Sequence, residues 1–387
     1  MKRIGIFLGD WFWSSVPYDG LVLYHYLKKT YNVDLILFKD DIRLNKNDFT
    51  GTEFYFDKSK FTECENLRVV DNWNSMNKLT EDYELIITTP ILAPKVREGY
   101  NKPLKSKCPV AVWDIGGVDI LTGYQKHANY YFVKGQIWKD WLIDRKVDNQ
   151  KIFVTGCPHY DYYLNDVGCS FANPLTSEEF NKKYSLDNSK KKILIAPSNP
   201  TSHAQMYEGN MSYINLIIEK SKIYNYEVLI KTYPNDYVFY EQEKQYTGIY
   251  HRKKYSIPQY EFLKSKFDDI TVIQSQDHHA VVRDSDLIFN MAGSSIAWDT
   301  YFTKCKSFTY NFKNQPFYKT LSYDLSTKII LPDQYINYHL EDCNGKVNPV
   351  FKGNFDIEKN KLSTFISKEF SLKNISDAVG SIIGEHK

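Results

Sequence analysis

The chain has 387 residues, with 49 basic and 47 acidic side chains, a net charge of +2, 42% hydrophobic residues, 31 Tyr, 23 Phe and 7 Trp. That length exceeds one ordinary α/β core and implies two domains, while the composition excludes long disordered stretches. The near-neutral balance excludes a global field that would draw the protein onto nucleic acid or an anionic membrane.

In chain order, Met1 to Leu8 starts basic, but Gly9-Asp10 ends its apolar run too early for a signal segment. Short β-rich runs then alternate with helix-compatible segments, the pattern of parallel sheets covered by helices. In the first half the strands are expected at Arg3 to Leu8, Val33 to Phe38, Leu85 to Thr88, Val110 to Trp113, Tyr130 to Val133 and Ile152 to Val154. Between the first two, Leu21, Tyr24 and Leu27 form a helical stripe over Gly20 to Lys29. After a polar connection around Ser185 to Lys192, strands are expected at Lys192 to Ala196, Glu227 to Lys231, Ile270 to Ile273, Leu287 to Asn290, Ser307 to Tyr310 and Ile329 to Leu331. Helices fit Asn210 to Tyr224, Tyr260 to Lys266 and Ser294 to Thr303, and an amphipathic helix over Leu372 to Glu385 closes the chain. The expected organisation is α/β: a Rossmann-like domain over 1–170, a second over 190–370 and a closing helix over 371–387, the two doubly wound domains facing across a cleft. Ligands of open α/β sheets bind at the carboxyl ends of the strands, so function is sought in the strand-end loops.

Three such loops in the second half carry the right chemistry. The strand ending at Asn290 runs into Gly293-Ser294-Ser295 and a helix. Unpaired N–H groups and the positive dipole end there suit a diphosphate, with Gly293 allowing close approach and the two hydroxyls donating. The same serines serve equally well as a plain helix cap. A second loop holds Ser198, Thr201 and His203, and a third ends in Lys231 and Tyr233, a counter-charge and a ring for a base to stack on. Together they point to a nucleotide.

The ordered segments Val154-Thr155-Gly156-Cys157-Pro158-His159-Tyr160-Asp161, Ile195-Ala196-Pro197-Ser198, Ile230-Lys231-Thr232-Tyr233-Pro234-Asn235, Ser285-Asp286 and Gly293-Ser294-Ser295 resemble the bacterial CDP-glycerol glycerophosphotransferase and surface-carbohydrate transferase group. The resemblance covers roughly residues 150–312 and implies a GT-B-like fold. It further implies a donor pyrophosphate on Ser294 and Ser295 and a ribose or base near Asp299, one helical turn after Ser295. The chain departs from the group at Tyr233 and His159, where members commonly carry His and Arg. These departures bear on a glycerophosphate-type mechanism more than on a sugar donor.

Transfer with inversion also needs a base for the acceptor hydroxyl. Asp114, at the end of Pro109-Val110-Ala111-Val112-Trp113, is the first candidate, and its surroundings are similar to the strand-end aspartate of phage DNA β-glucosyltransferases. Asp10 is the rival and Asp119 the third, while Trp11, Trp13 and Trp113 offer stacking or simple packing. His278-His279 are adjacent, not at the i, i+4 spacing of a metal pair, so no metal site is expected. Neither a Walker lysine loop nor a GxGxxG after the first strand is present.

The leading expectation is a nucleotide-sugar-dependent glycosyltransferase of GT-B type. Its co-substrate is a UDP- or CDP-linked sugar, it has no tightly bound cofactor, and its hydroxyl acceptor is a glycan, a lipid-linked group or a modified DNA base. Alternatives are a phage enzyme acting on a hydroxymethylated base, a surface-polymer glycerophosphate transferase, a UDP-sugar 2-epimerase and a non-catalytic sugar-binding module. An epimerase usually continues into an Arg-rich segment ending in Glu-Arg-Pro-Glu, whereas here Ser307 to Lys313 reads Ser-Phe-Thr-Tyr-Asn-Phe-Lys. The six cysteines lack CxxC spacing and no run approaches the ~20 apolar residues of a membrane span, so the expected location is the cytoplasm.

Overall fold

A computed structural model of the chain describes residues 3–8, 16–38, 64–88, 106–113, 128–164, 175–196, 214–215, 217–219, 221–222, 225–231, 237–239, 256–258, 264–265, 267, 270–273, 277–291, 296–300, 302–303, 305–310, 335–336, 367 and 369–385. The chain divides into two compact units, Met1–Asn173 with Asn360–Lys387, and Pro174–Lys359.

In the first unit, β1 (Arg3–Phe7), α1 (Val16–Leu27), β2 (Asn32–Phe38), β3 (Leu67–Val70), α2 (Trp73–Leu79), β4 (Leu85–Thr88), β5 (Val110–Trp113), β6 (Tyr130–Val133), α3 (Gln136–Asp144), β7 (Ile152–Val154) and α4 (Pro158–Leu164) follow in order. The seven strands form one sheet in the order β3-β2-β1-β4-β5-β6-β7, and every pairing is parallel. The reversal of direction between β1 and β4 makes it doubly wound. The inner strands are buried on both faces, which is why β4, β5 and β6 read as apolar runs. Ile4, Ile6, Leu35, Leu37, Leu85, Ile87, Ala111 and Trp113 enter one core cluster. Phe7, Ile36, Ile86 and Val110 enter the other, as the two-residue period of a strand requires. Gly5 lies where β1 is squeezed between its neighbours: a Cβ there would sit 2.5 Å from Ile86 Cδ1 and 2.8 Å from Ile36 Cδ1.

At the amino ends of the strands, Asp34 of β2 gathers three donors. Arg3 donates to its Oδ2 at 2.7 Å through Nη2, Arg68 at 3.2 Å through Nε and Tyr83 at 2.6 Å through its hydroxyl. Burial and the neighbouring Asp34 push the Tyr83 phenol far up from its ordinary range.

In the second unit, α5 (Ser177–Tyr184), β8 (Lys192–Ala196), β9 (Glu227–Lys231), β10 (Tyr237–Phe239), β11 (Ser256–Pro258), β12 (Thr271–Ile273), α6 (His278–Asp284), β13 (Leu287–Met291), α7 (Ile296–Asp299), β14 (Lys306–Tyr310) and β15 (Tyr335–Ile336) follow. Six of these strands form a sheet in the order β12-β9-β8-β13-β14-β15, again parallel throughout. Its direction reverses between β8 and β13. Strands β10 and β11 make a separate antiparallel pair. Helix α5 opens with a capping box, in which Thr176 accepts from the Glu179 N–H and the Glu179 side chain accepts from the Thr176 N–H. It is tied to α6 at both ends, by Ser177 Oγ donating to Asp284 at 2.8 Å and by Lys183 Nζ donating to Asp277 at 2.7 Å.

The last helix, α8 (Ser371–Glu385), packs within the first unit. Leu372, Ile375, Val379, Ile382 and Ile383 enter the same cluster as Leu21, Leu23 and Leu27 of α1. Its first turn is held by Asp161 of α4, whose carboxylate accepts from Ser371 N at 2.9 Å, Ser371 Oγ at 2.8 Å and Leu372 N at 3.0 Å. Gly156 (φ +82°) sits against this junction, and a Cβ on it would meet Ser371 Cβ at 3.0 Å.

Several elements differ from the sequence expectation. Strand β3 had no expected counterpart, because its two middle residues, Arg68 and Val69, are exposed and only Val70 is buried, which leaves no alternation to read. The first helix starts at Val16, ahead of Gly20. Described residues of the expected helix at 210–224 are helical, those of 260–266 include one helical pair at 264–265, and of 294–303 the helical part is Ile296–Asp299. The strand expected at 329–331 lies outside the described residues; β14 pairs with β15.

Candidate functional site

The carboxyl ends of the second unit's strands bring three ionisable side chains together. Lys231 is the last residue of β9 and is 8% exposed. Asp299 ends α7, the short helix after β13, and is fully buried. His278 is the first residue of α6 and is 8% exposed. The imidazole Nε2 of His278 stands 3.2 Å from Asp299 Oδ1. Burial lowers the Lys231 ammonium to about 8, and the Asp299 carboxylate acts in the opposite direction to retain its proton. The arrangement thus holds a poised cation, a carboxylate and an imidazole beside the point where the sheet reverses, the place where doubly wound folds take ligands. An ammonium in so dry a place interacts with an arriving anion far more strongly than it would in water.

The mounting of His278 is also distinctive. Asp277 occupies the cap position of α6, yet its side chain makes no capping bond. Its carboxylate turns to α5, where Lys183 Nζ donates at 2.7 Å and the Tyr184 hydroxyl donates as well. The His278 ring stands edge-on to His279, with centroids 5.2 Å apart and planes at 90°.

Of the residues expected to bind the donor, Lys231 and Asp299 are therefore brought to one place. Ser198, Thr201, His203, Tyr233, Gly293, Ser294 and Ser295 lie outside the described residues, as do the proposed bases Asp114 and Asp10, together with Asp119, Trp11 and Trp13. Trp113 is fully buried in the core of the first unit and packs there rather than offering a stacking face.

Four motif residues have structural duties. Asp286 accepts from Lys192 N at 2.9 Å and pins β13 to the start of β8, while Ser285 donates to Val281 O at 2.6 Å and closes α6. In the Gly156 to Asp161 segment, Gly156 and Asp161 dock α8, as described above. His159 of the same segment is buried, its Nδ1 3.8 Å from Asp19 Oδ1 of α1. Sequence reasoning considered His278 only as half of a metal pair. The signal for its present role was its position at the head of a helix that precedes a strand of the site, but a partner such as Asp299 is invisible without the fold.

No protein-family model matches the chain, and no curated protein matches it by sequence. Solved structures do match. The UDP-GlcNAc 2-epimerase of Methanocaldococcus jannaschii, in complex with UDP-GlcNAc and UDP, is 12% identical, with a TM-score of 0.57 over 98% of this chain and 99% of that one. The UDP-GlcNAc 2-epimerase of Neisseria meningitidis bound to UDP-GlcNAc is 11% identical, with a TM-score of 0.55 over 100% of both chains. The wall teichoic acid polymerase TagF is 14% identical, with a TM-score of 0.55 over 100% of this chain and 89% of that one. At such identities the likeness carries the fold: the protein is α/β and GT-B-like, built of two doubly wound Rossmann-like units. Among the described residues no helix is long and apolar enough to cross a membrane.

Proposed function

We propose that this protein is a nucleotide-sugar-dependent glycosyltransferase, moving a sugar from a UDP- or CDP-linked donor to a hydroxyl acceptor, with the donor held by the second unit. The observation that carries the reading is the buried Lys231–Asp299–His278 group at the strand ends. In the transfer, the bond between the anomeric carbon and the donor's phosphate oxygen breaks and its electron pair stays on the diphosphate. The Lys231 ammonium offsets that charge, assisted by the N–H groups and hydroxyls of Gly293, Ser294 and Ser295. Asp299 accepts from ribose hydroxyls, Tyr233 stacks on the base, and Ser198, Thr201 and His203 complete the polar lining. The acceptor proton goes to Asp114, with Asp10 as the rival base. This chemistry calls for no tightly bound cofactor, since fixed protein donors carry the leaving-group charge.

A second reading is a UDP-sugar 2-epimerase, favoured by structures of that activity aligning over nearly the whole chain. A third, supported by TagF, is a transferase building a surface polymer. One experiment orders them. The protein is screened for thermal stabilisation by UDP, CDP and GDP, because ligands of the native state raise the melting point. The matching nucleotide-sugar is then incubated with and without hydroxyl acceptors. Acceptor-dependent release of nucleotide supports the transferase, and an epimerised donor formed without acceptor replaces it with the epimerase. Stabilisation by none of the three nucleotides sinks all three readings.

A further inference from the structure

We propose that Lys183 and Tyr184 of α5 are positioning residues for the nucleotide site, acting through Asp277 and His278 to aim the Asp299 carboxylate. The proposal rests on the reading of this unit as a nucleotide site and adds a mechanical route into it from outside the strand-end loops.

The route is continuous. Lys183 Nζ and the Tyr184 hydroxyl both donate to Asp277 Oδ2. Asp277 is 8% exposed and forgoes the capping bond that an aspartate at a helix start ordinarily makes. That diversion exchanges a local helix cap for a link between two helices. His278 follows directly in the chain, so the link sets where its ring begins. The ring is confined further by its edge-on contact with His279, and its Nε2 meets Asp299 Oδ1 at 3.2 Å. A nitrogen at that distance interacts with Oδ1 through charge and biases the carboxylate toward one rotation, which is what selective acceptance from a pair of ribose hydroxyls needs. Ser177 and Asp284 tie the far ends of the same two helices, so α5 cannot swing freely about the Asp277 end.

The test uses the full chain and two probes, UDP and 2′,3′-dideoxy-UDP, with affinities measured by calorimetry. The wild type is expected to prefer UDP by at least tenfold. Tyr184→Phe and Asp277→Asn are expected to reduce that preference three- to tenfold while leaving the dideoxy affinity unchanged. His278→Gln is expected to abolish the preference, and the double variant Asp277→Asn/His278→Gln to go no further. Equal weakening toward both probes, or an unchanged preference in Tyr184→Phe, overturns the proposal as mere helix packing.

Nitrogen-15 spectra of the His278 imidazole give an independent readout that requires no ligand. Tyr184→Phe and Asp277→Asn are expected to move its Nε2 signal, and unchanged signals in both overturn the relay. Failure of the wild type to bind UDP, CDP or GDP removes the nucleotide reading and, with it, the proposed purpose of the relay.

Discussion

Asp34 and Asp299 are both buried carboxylates set among the ends of parallel strands, but they lie at opposite ends of those strands and in different company. Asp34, at the amino ends in the first unit, is surrounded by donors: two guanidinium groups and a phenol converge on its Oδ2. Asp299, at the carboxyl ends in the second unit, faces a lysine held near the edge of its charged range and an imidazole. The first is a strut. The second stands beside a lysine whose charge burial disfavours and an imidazole, the group proposed above to meet a nucleotide. Doubly wound folds separate these duties because the carboxyl ends, where helix amino termini and connecting loops converge, form the open rim for ligands. Asp161 falls with Asp34 in this respect: although near a strand's carboxyl end, its oxygens take three donors from the closing helix.

The contrast can be broken most directly at Asp34. Replacing it with Ala strands the buried Tyr83 hydroxyl and uncouples Arg3, and is expected to cost about 3 kcal/mol of stability by urea unfolding, with UDP affinity of the folded protein unchanged. A loss of affinity there would show that the amino ends also serve the ligand.

Asp161 gives a pH test. Burial raises its carboxyl from 3.8 to about 6, against the opposing pull of its Ser371 and Leu372 bonds. The native state therefore takes up a proton at higher pH than the unfolded chain. The stability linked to that proton is complete below the unfolded value and is lost as the pH rises through about 6. Relative to Asp161→Asn, the wild type is expected to gain roughly 1–3 kcal/mol as the pH falls from about 7 to about 4, read from paired denaturation curves. A gap between the two that does not change with pH refutes the assignment.

Asp299→Asn is expected to act on both ligand and fold: about a tenfold loss of UDP affinity, equivalent to about 1.4 kcal/mol, together with a loss of stability, since the buried Lys231 ammonium loses the carboxylate that favours its charge. Calorimetry and melting curves on one preparation measure both.

The smallest expected effect is that of Thr176→Ala. It removes the cap of α5 for about 1 kcal/mol without touching Asp277, and so separates loosening of α5 from loss of its contact with the site. A change in the preference for UDP over its dideoxy analogue would merge the two.

Much of this architecture is legible in the linear sequence, for a physical reason. A strand of a parallel sheet is buried on both faces, so Leu85–Thr88, Val110–Trp113, Lys192–Ala196 and Glu227–Lys231 announce themselves as compact apolar runs whose ends are where chemistry is sought. Lys231 is accessible on that ground, and Asp299 through the resemblance, which implies a ribose or base near it. The exposed edge strand Leu67–Val70 is not, because half-buried short strands lack contrast. What only the tertiary structure decided are the pairings across long stretches of chain. Asp161 meets Ser371 from 210 residues away, Lys183 meets Asp277 from 94, and Tyr83 meets Asp34 from 49. No periodicity encodes such partners: a carboxylate in a sequence is the same letter whether it caps a helix, braces two strands or faces a lysine and an imidazole. Its role is set by the dielectric and the donors that folding places around it.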